Sequence, residues 1–178
     1  MEVKYVDNVL LKKELFNLYS SLIECNGWNL CRSSLGGDFR TFPGFIIKNN
    51  YNEIGNHYWN GYFTSLYERI SIKFYEKYNY ELPKDIKRIH LGAKNEISMT
   101  EFHTDTEESE SISIVGFLTP VWSQDWGGAL QVEENKINFE PGKFVIFNNN
   151  QIHEGVGPSK AVPYWRISIN YVIKKYNG

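Results

Sequence analysis

Leu11, Leu15, Leu18 and Leu22 recur every three or four positions near the start of the chain, the spacing that lines one face of a helix. Asp7 stands where a cap would open that helix, and Asn26-Gly27 offers a stop. A second run, Trp59, Tyr62, Phe63, Leu66, Ile70 and Phe74, keeps the same period until Asn79 and Pro83 end it. Between the two, SSLGGDFRTFPGF over residues 33–45 reads as an irregular loop, because of its Gly pair and Pro43. From Ile86 onward the pattern changes to short β-rich runs, IKRIHL, SISIVGFL, ALQV, KFVIF and RISINYVI, separated by turn residues such as Gly127-Gly128 and Pro141-Gly142. The expected class is α+β. Residues 1–84 are expected to be mainly helical support packed outside the sheet, and residues 85–178 an all-β barrel or jelly roll that carries the chemistry. No internal repeat or linker divides the chain, so 1–178 is expected to share one core.

Composition narrows the setting. The 178 residues carry 19 Lys plus Arg against 21 Asp plus Glu, a formal charge of -2. No stretch gathers enough basic residues to follow a phosphate backbone, so nucleic acid is not an expected partner. The opening MEVKYVDNVLLKKELF places charges inside its apolar run, and no signal-peptide core or membrane span can be drawn there or elsewhere. A soluble, cytoplasmic protein is expected, with Cys25 and Cys31 as free thiols of no assigned function. Oligomeric state is not legible.

Three residues of the β region have the chemistry to hold a metal: His103 and Asp105 in EFHTDT, and His153 in NQIHEG. An imidazole and a carboxylate two apart on an extended segment project to the same face, so both reach one ion. A second imidazole from a distant strand closes a facial triad. Two His and one carboxylate leave three positions open on an octahedral metal, which suits non-haem Fe(II) that must bind a chelating co-substrate and O2. Structural zinc would want four protein ligands and a closed shell.

Arg166 begins RISINYVI, where the strand period of two sends Arg166, Ser168 and Asn170 to one face and Ile167, Ile169 and Tyr171 to the other. A polar face there needs a polar ligand. A dicarboxylate such as 2-oxoglutarate supplies one: its far carboxylate takes two parallel hydrogen bonds from a guanidinium, with the Ser168 hydroxyl as a further donor.

The HTD triplet, VGFLTPVWSQDWGGALQV, PGKFVIFNNNQIHEG and RISINYV together resemble the Fe(II)/2-oxoglutarate-dependent oxygenases, in their prolyl-4-hydroxylase-like branch, over about Arg88 to Ile173. That resemblance implies a double-stranded β-helix, a cupin-like jelly roll with iron between its two sheets. It also implies that His103, Asp105 and His153 bind Fe(II), and that Arg166 binds the distal carboxylate of 2-oxoglutarate. His90 falls near a position where relatives place a Tyr that contacts the co-substrate, and Ala129 stands where an acidic residue often follows the Gly pair. The interval from Gly92 to Phe102 and that from His153 to Arg166 are longer than in many relatives. The implied reaction is hydroxylation of an unactivated C–H bond with release of succinate and CO2, using O2 and with ascorbate as a candidate reductant. Because Asp105 keeps its carboxylate, no ligand position opens for chloride, and hydroxylation is favoured over halogenation.

The substrate is expected to be a prolyl or other peptidyl residue, or a small amino-acid-like metabolite. Trp122, Trp126 and Glu107 are candidates to touch it: the tryptophans as a pocket floor, Glu107 in the acidic run with Glu108 and Glu110 as a selector of cationic groups. The alternative is a cupin-like jelly roll that binds a metal or a sugar without using O2. Such a protein has no use for Arg166 and Ser168 facing the metal across the barrel.

Overall fold

The computed structural model describes residues 1–32, 41–49, 57–98, 101–105 and 111–174. Its elements run β1 (Lys4–Val6), α1 (Lys12–Glu24), β2 (Asn29–Arg32), β3 (Thr41–Asn49), α2 (His57–Tyr78), β4 (Asp85–Lys94), β5 (Ser111–Phe117), β6 (Leu130–Val132), β7 (Asn135–Ile137), β8 (Phe144–Asn148), β9 (His153–Gly155) and β10 (Arg166–Lys174), with a short 3-10 turn at Gln124–Trp126.

The helix α1 begins later than Asp7. Glu14 reaches back to accept the Leu11 amide proton at 2.6 Å, which fixes the first turn without a side-chain cap from the flanking residue. Leu11 itself therefore sits outside the helix and is 71% exposed, while Leu15, Leu18, Tyr19 and Leu22 are buried. In α2 the expected face is present except at Tyr62, which is 39% exposed: Trp59, Phe63, Leu66, Ile70 and Phe74 are buried together with Tyr67, and Asn79 ends the helix in the left-handed region at φ 51°. Arg69 clamps the two helices through a paired contact to Glu14, both bonds 3.0 Å long.

All strand pairs are antiparallel. Seven strands form a large sheet in the order β1-β8-β5-β10-β4-β3-β2, and three form a small one, β7-β6-β9. This is the double-stranded β-helix, the jelly roll expected, with the helices on the outside. The first 84 residues supply more sheet than expected, namely β1, β2 and β3. Residues 41–45 of the expected loop are part of β3, and residues 33–40 lie outside the described residues. Among the described residues no helix is long and apolar enough to cross a membrane.

Strand alternation divides the interior in two. Ile89, Leu91 and Ala93 of β4, Ile112 and Ile114 of β5, Phe144 and Ile146 of β8, and Ile167, Ile169, Tyr171 and Ile173 of β10 join one buried cluster with α1 and α2. Tyr171 also donates its hydroxyl proton to the Phe63 carbonyl at 2.9 Å, tying β10 to α2. On the other face Val115, Phe117, Val145 and Phe147 meet Leu130, Val132 and Phe139 in a second, smaller cluster between the sheets. The strands β4 and β10 contribute no apolar residue to that second cluster. Their inward positions include Arg88, His90, Gly92 and Lys94, and Arg166, Ser168 and Asn170, so these two strands give the space between the sheets a polar wall.

Candidate metal centre and anion pocket

His103 and His153 face each other as an isolated antiparallel pair. The His103 amide donates to the His153 carbonyl at 3.0 Å, and the His153 amide donates back at 2.9 Å. This reciprocal pairing puts both rings on one side, with centroids 4.5 Å apart. Each ring then hands Nδ1 to a backbone carbonyl, His103 to Glu101 and His153 to Gln151, both at 2.9 Å. A carbonyl only accepts, so Nδ1 carries the proton and Nε2 presents its lone pair, the tautomer a metal needs. Burial lowers the His153 pKa against the opposing pull of Asp105, which favours the neutral ring. Asp105 Oδ2 lies 3.6 Å from His153 Nε2, and ligand atoms of His103, Asp105 and His153 all fall within 4.8 Å of one another.

The carboxylate is held from three strands. Arg88 of β4 donates to Asp105 Oδ1 at 2.6 Å, while Asn170 of β10 and Ser113 of β5 reach Oδ2 at 2.9 and 3.0 Å. Burial opposes ionisation of Asp105, but Arg88, His153 and the bonds from Asn170 and Arg88 outweigh it and keep the pKa at about 2. Ser113 Oγ also contacts the Asn149 side chain, and its single proton serves only one acceptor; an Asn149 amide turned to present Nδ2 would complete a chain of donors ending on Asp105. Three buried side-chain atoms among the described residues have no hydrogen-bond partner: Arg88 Nε, Asn149 Nδ2 and Asn170 Oδ1. All three belong to residues of this one network.

Further along the same wall, Arg166 is fully buried. Its guanidinium lies beside the stacked rings of Phe117 and Phe139, 5.7 and 5.2 Å from their centroids. Nε donates to the Gly128 carbonyl at 2.7 Å, Nη2 to Ala129 at 3.4 Å and Nη1 to Ser168 Oγ at 3.4 Å. Gly127 and Gly128 make this possible: both hold positive φ, and a Cβ on Gly128 would stand 2.8 Å from Trp122 and 3.2 Å from the Arg166 stem. Burial pulls the Arg166 pKa down to about 9, which leaves a cation at neutral pH. Among the described residues no carboxylate forms an ion pair with it. A buried cation of this kind is costly unless an anion arrives.

The profile of the 2OG-Fe(II) oxygenase superfamily matches residues 90–174, the segment that carries the triad and Arg166. The chain resembles that superfamily over 85 of its 178 residues, just under half of its length. It is a 2-oxoglutarate-dependent dioxygenase, and the cofactor chemistry of the family is Fe(II), 2-oxoglutarate and O2. Solved structures share the fold. A 2OG-Fe(II) oxygenase family oxidoreductase from Burkholderia pseudomallei aligns with TM-score 0.70 at 14% identity over 99% of this chain and 86% of that one. A prolyl-4-hydroxylase from Pseudomonas putida aligns with TM-score 0.65 at 14% identity over 97% and 92%. The non-heme alpha ketoglutarate dependent carbocyclase SnoK from nogalamycin biosynthesis aligns with TM-score 0.66 at 11% identity over 97% and 79%. No curated protein sequence matches the chain.

The residues present fit the metal that this superfamily uses. The donor set is two imidazoles with Nε2 free and one ionised carboxylate, and unsatisfied polar atoms gather around it and nowhere else among the described residues. His90 lines the wall between Arg88 and Lys94, opposite Asn170 in register. Burial first, then Arg88, lowers its pKa to about 4, so its ring is neutral at pH 7. Trp122 packs against Phe139 with centroids 4.6 Å apart and donates to the Gly127 carbonyl at 2.9 Å, which puts it in the wall behind the guanidinium. Trp126 meets Trp122 edge-on and lies tilted against Tyr164. Glu107 lies outside the described residues. Sequence reasoning missed Arg88, Ser113 and Lys94. Period two along β4, counted back and forward from His90, puts Arg88 and Lys94 on its face and was the available signal.

Proposed function

We propose that residues 1–178 act as one oxygenase domain in which His103, Asp105 and His153 hold Fe(II), and Arg166 with Ser168 takes the far carboxylate of 2-oxoglutarate. The substrate is a prolyl or peptidyl residue or a small amino-acid-like metabolite, hydroxylated at an unactivated C–H bond with release of succinate and CO2. One observation carries the co-substrate assignment: the fully buried Arg166 has no carboxylate partner among the described residues, yet shares a strand face with Asn170, which touches the metal carboxylate. The prolyl side of the reading draws on the branch the sequence resembles and on the fold shared with a prolyl-4-hydroxylase. The metabolite side draws on the same fold in a carbocyclase.

Bound iron supplies the activation of O2 and the oxidising power. The chain supplies the rest. Backbone carbonyls of Glu101 and Gln151 orient the two imidazoles, and Arg88, Asn170 and Ser113 keep Asp105 ionised and in place. Phe117 and Phe139 exclude water from the guanidinium, which strengthens its hold on a carboxylate. His90, neutral and two residues from Arg88 on the same face, is placed to border the co-substrate between those two ends.

The test needs no substrate. Anaerobic addition of Fe(II) and 2-oxoglutarate to metal-free protein is expected to give the visible charge-transfer band of the chelate. The band should be lost in His103→Ala and should need at least about tenfold more 2-oxoglutarate in Arg166→Ala, the scale of a charge-assisted pair. Folded wild-type protein that binds metal and shows no band would return the chain to the cupin-like, non-oxygenase alternative.

A further inference from the structure

Lys94 ends β4 on its inward face, and strand register sets it directly opposite Arg166. Its ammonium donates to the Gly155 carbonyl on β9. A Cβ built on Gly155 would lie 3.5 Å from Lys94 Nζ and 3.8 Å from both Nη1 and Nη2 of Arg166. The ammonium and the guanidinium therefore border the same small space beside β9. Of the charged groups packed around Lys94, Arg166 on β10 repels its charge and Glu154 on β9 favours it.

We propose that Lys94 is a second binding residue for the co-substrate, so that the far carboxylate of 2-oxoglutarate is shared between Arg166 and Lys94. The inference rests on the proposed function and deepens it. A carboxylate has two oxygens and about four lone-pair sites. Three of the five guanidinium N–H groups of Arg166 are committed to Gly128, Ala129 and Ser168, so the arginine has two left for those four sites. An ammonium on the adjoining strand supplies a charged donor for the lone pairs that remain. The pocket then selects for the distal carboxylate with two cations, and a 2-oxo acid lacking that group leaves both exposed to each other.

The experiment compares two acids with the same chelating end: 2-oxoglutarate, and 2-oxobutyrate, which lacks the distal carboxylate. Each is titrated anaerobically into the Fe(II)-loaded protein and followed by the chelate band, in wild type, Lys94→Met and Lys94→Arg, with Fe(II) affinity and thermal midpoint measured alongside. Lys94→Gln replaces the Met variant if that does not fold. The expected result for Lys94→Met is a loss of 2-oxoglutarate affinity of about ten- to a hundredfold, the scale of one charge-assisted hydrogen bond, with 2-oxobutyrate unchanged and the loss largely recovered in Lys94→Arg. Unchanged 2-oxoglutarate binding in Lys94→Met overturns the proposal and leaves the oxygenase reading standing. Equal losses for both acids also overturn it, because the lysine then acts only through the local structure. Absence of the band in wild type with either acid removes the oxygenase reading itself.

Discussion

Asp105 accepts hydrogen bonds on both carboxylate oxygens before any metal is considered, and the donors come from three different strands. Groups of this kind fix which oxygen a metal meets and at what angle, and losing one costs about 10- to 100-fold in metal affinity. Asn170→Ala is therefore expected to weaken Fe(II) or Co(II) binding by about that factor in an anaerobic titration, and Ser113→Ala by a similar amount. Because both act on Oδ2, the double variant should lose less than the product of the two. Additive losses would show that the two residues serve independent purposes. At this scale the ligands were readable from type and spacing: His103 and Asp105 two apart, His153 in a later β run, and Arg166 with Asn170 on one strand face. Arg88 and Ser113 were not, since their role depends on β4, β5 and β10 lying side by side, a tertiary fact that no local spacing encodes.

Elements whose pattern is long were legible, and short or irregular ones were not. The 22 residues of α2 and the nine of β10 carry enough repeats to declare their period. The three-residue strands β1, β7 and β9 do not, and β3 was hidden because Pro43-Gly44 reads as a turn. Pro43 is tolerated there because β3 pairs with β4 only from Gly44 onward, so Pro43 has a ladder partner on one side alone, Leu30 of the edge strand β2. The start of α1 was misplaced for a related reason: Asp7 has the side chain of a cap, but Glu14 does the capping from inside the helix. Two glycines now separate fold from site. A Cβ on Gly116 would fall 2.3 Å from the Phe144 ring and 2.9 Å from Ile169, on the helix-facing side of β5, whereas one on Gly128 would crowd Trp122 and the Arg166 stem at positive φ. Gly116→Ala should lower the thermal midpoint by on the order of 5 °C and leave 2-oxoglutarate affinity of the folded protein intact. Gly128→Ala should lower both, and a Gly128→Ala protein with unchanged co-substrate affinity would contradict the part given to this turn in aiming Arg166.

The large sheet joins strands in the order β1-β8-β5-β10-β4-β3-β2, so its neighbours are far apart in sequence, and the family resemblance rather than periodicity was what made it foreseeable. One consequence belongs to the molecule as a whole, because folding brings Lys94 against Arg166. Burial, then Arg166, pulls the Lys94 pKa from 10.5 to about 7, with Glu154 opposing. Between these two values the unfolded chain holds a proton on Lys94 that the native protein has released, and stability rises with pH wherever the unfolded state binds more protons. The metal-free protein should thus gain on the order of 2 kcal/mol between pH 7 and pH 9 in urea unfolding, and Lys94→Met should not. The Lys94 gain should end near pH 10.5, while Arg166, at about 9 in the fold, adds to it above pH 9 and the buried tyrosines oppose it. Burial raises the pKa of Tyr19, Tyr62 and Tyr171 in the native state, so the unfolded chain loses those protons first and is favoured as pH climbs. Bound 2-oxoglutarate pulls the other way, since its carboxylate returns the proton to Lys94. The stabilisation that the co-substrate confers on the iron-loaded protein should accordingly shrink from pH 7 to pH 9 in wild type while changing less in Lys94→Met. A wild-type profile flat across that window would mean that Lys94 keeps its proton in the fold, and that its charge is already matched before any co-substrate arrives.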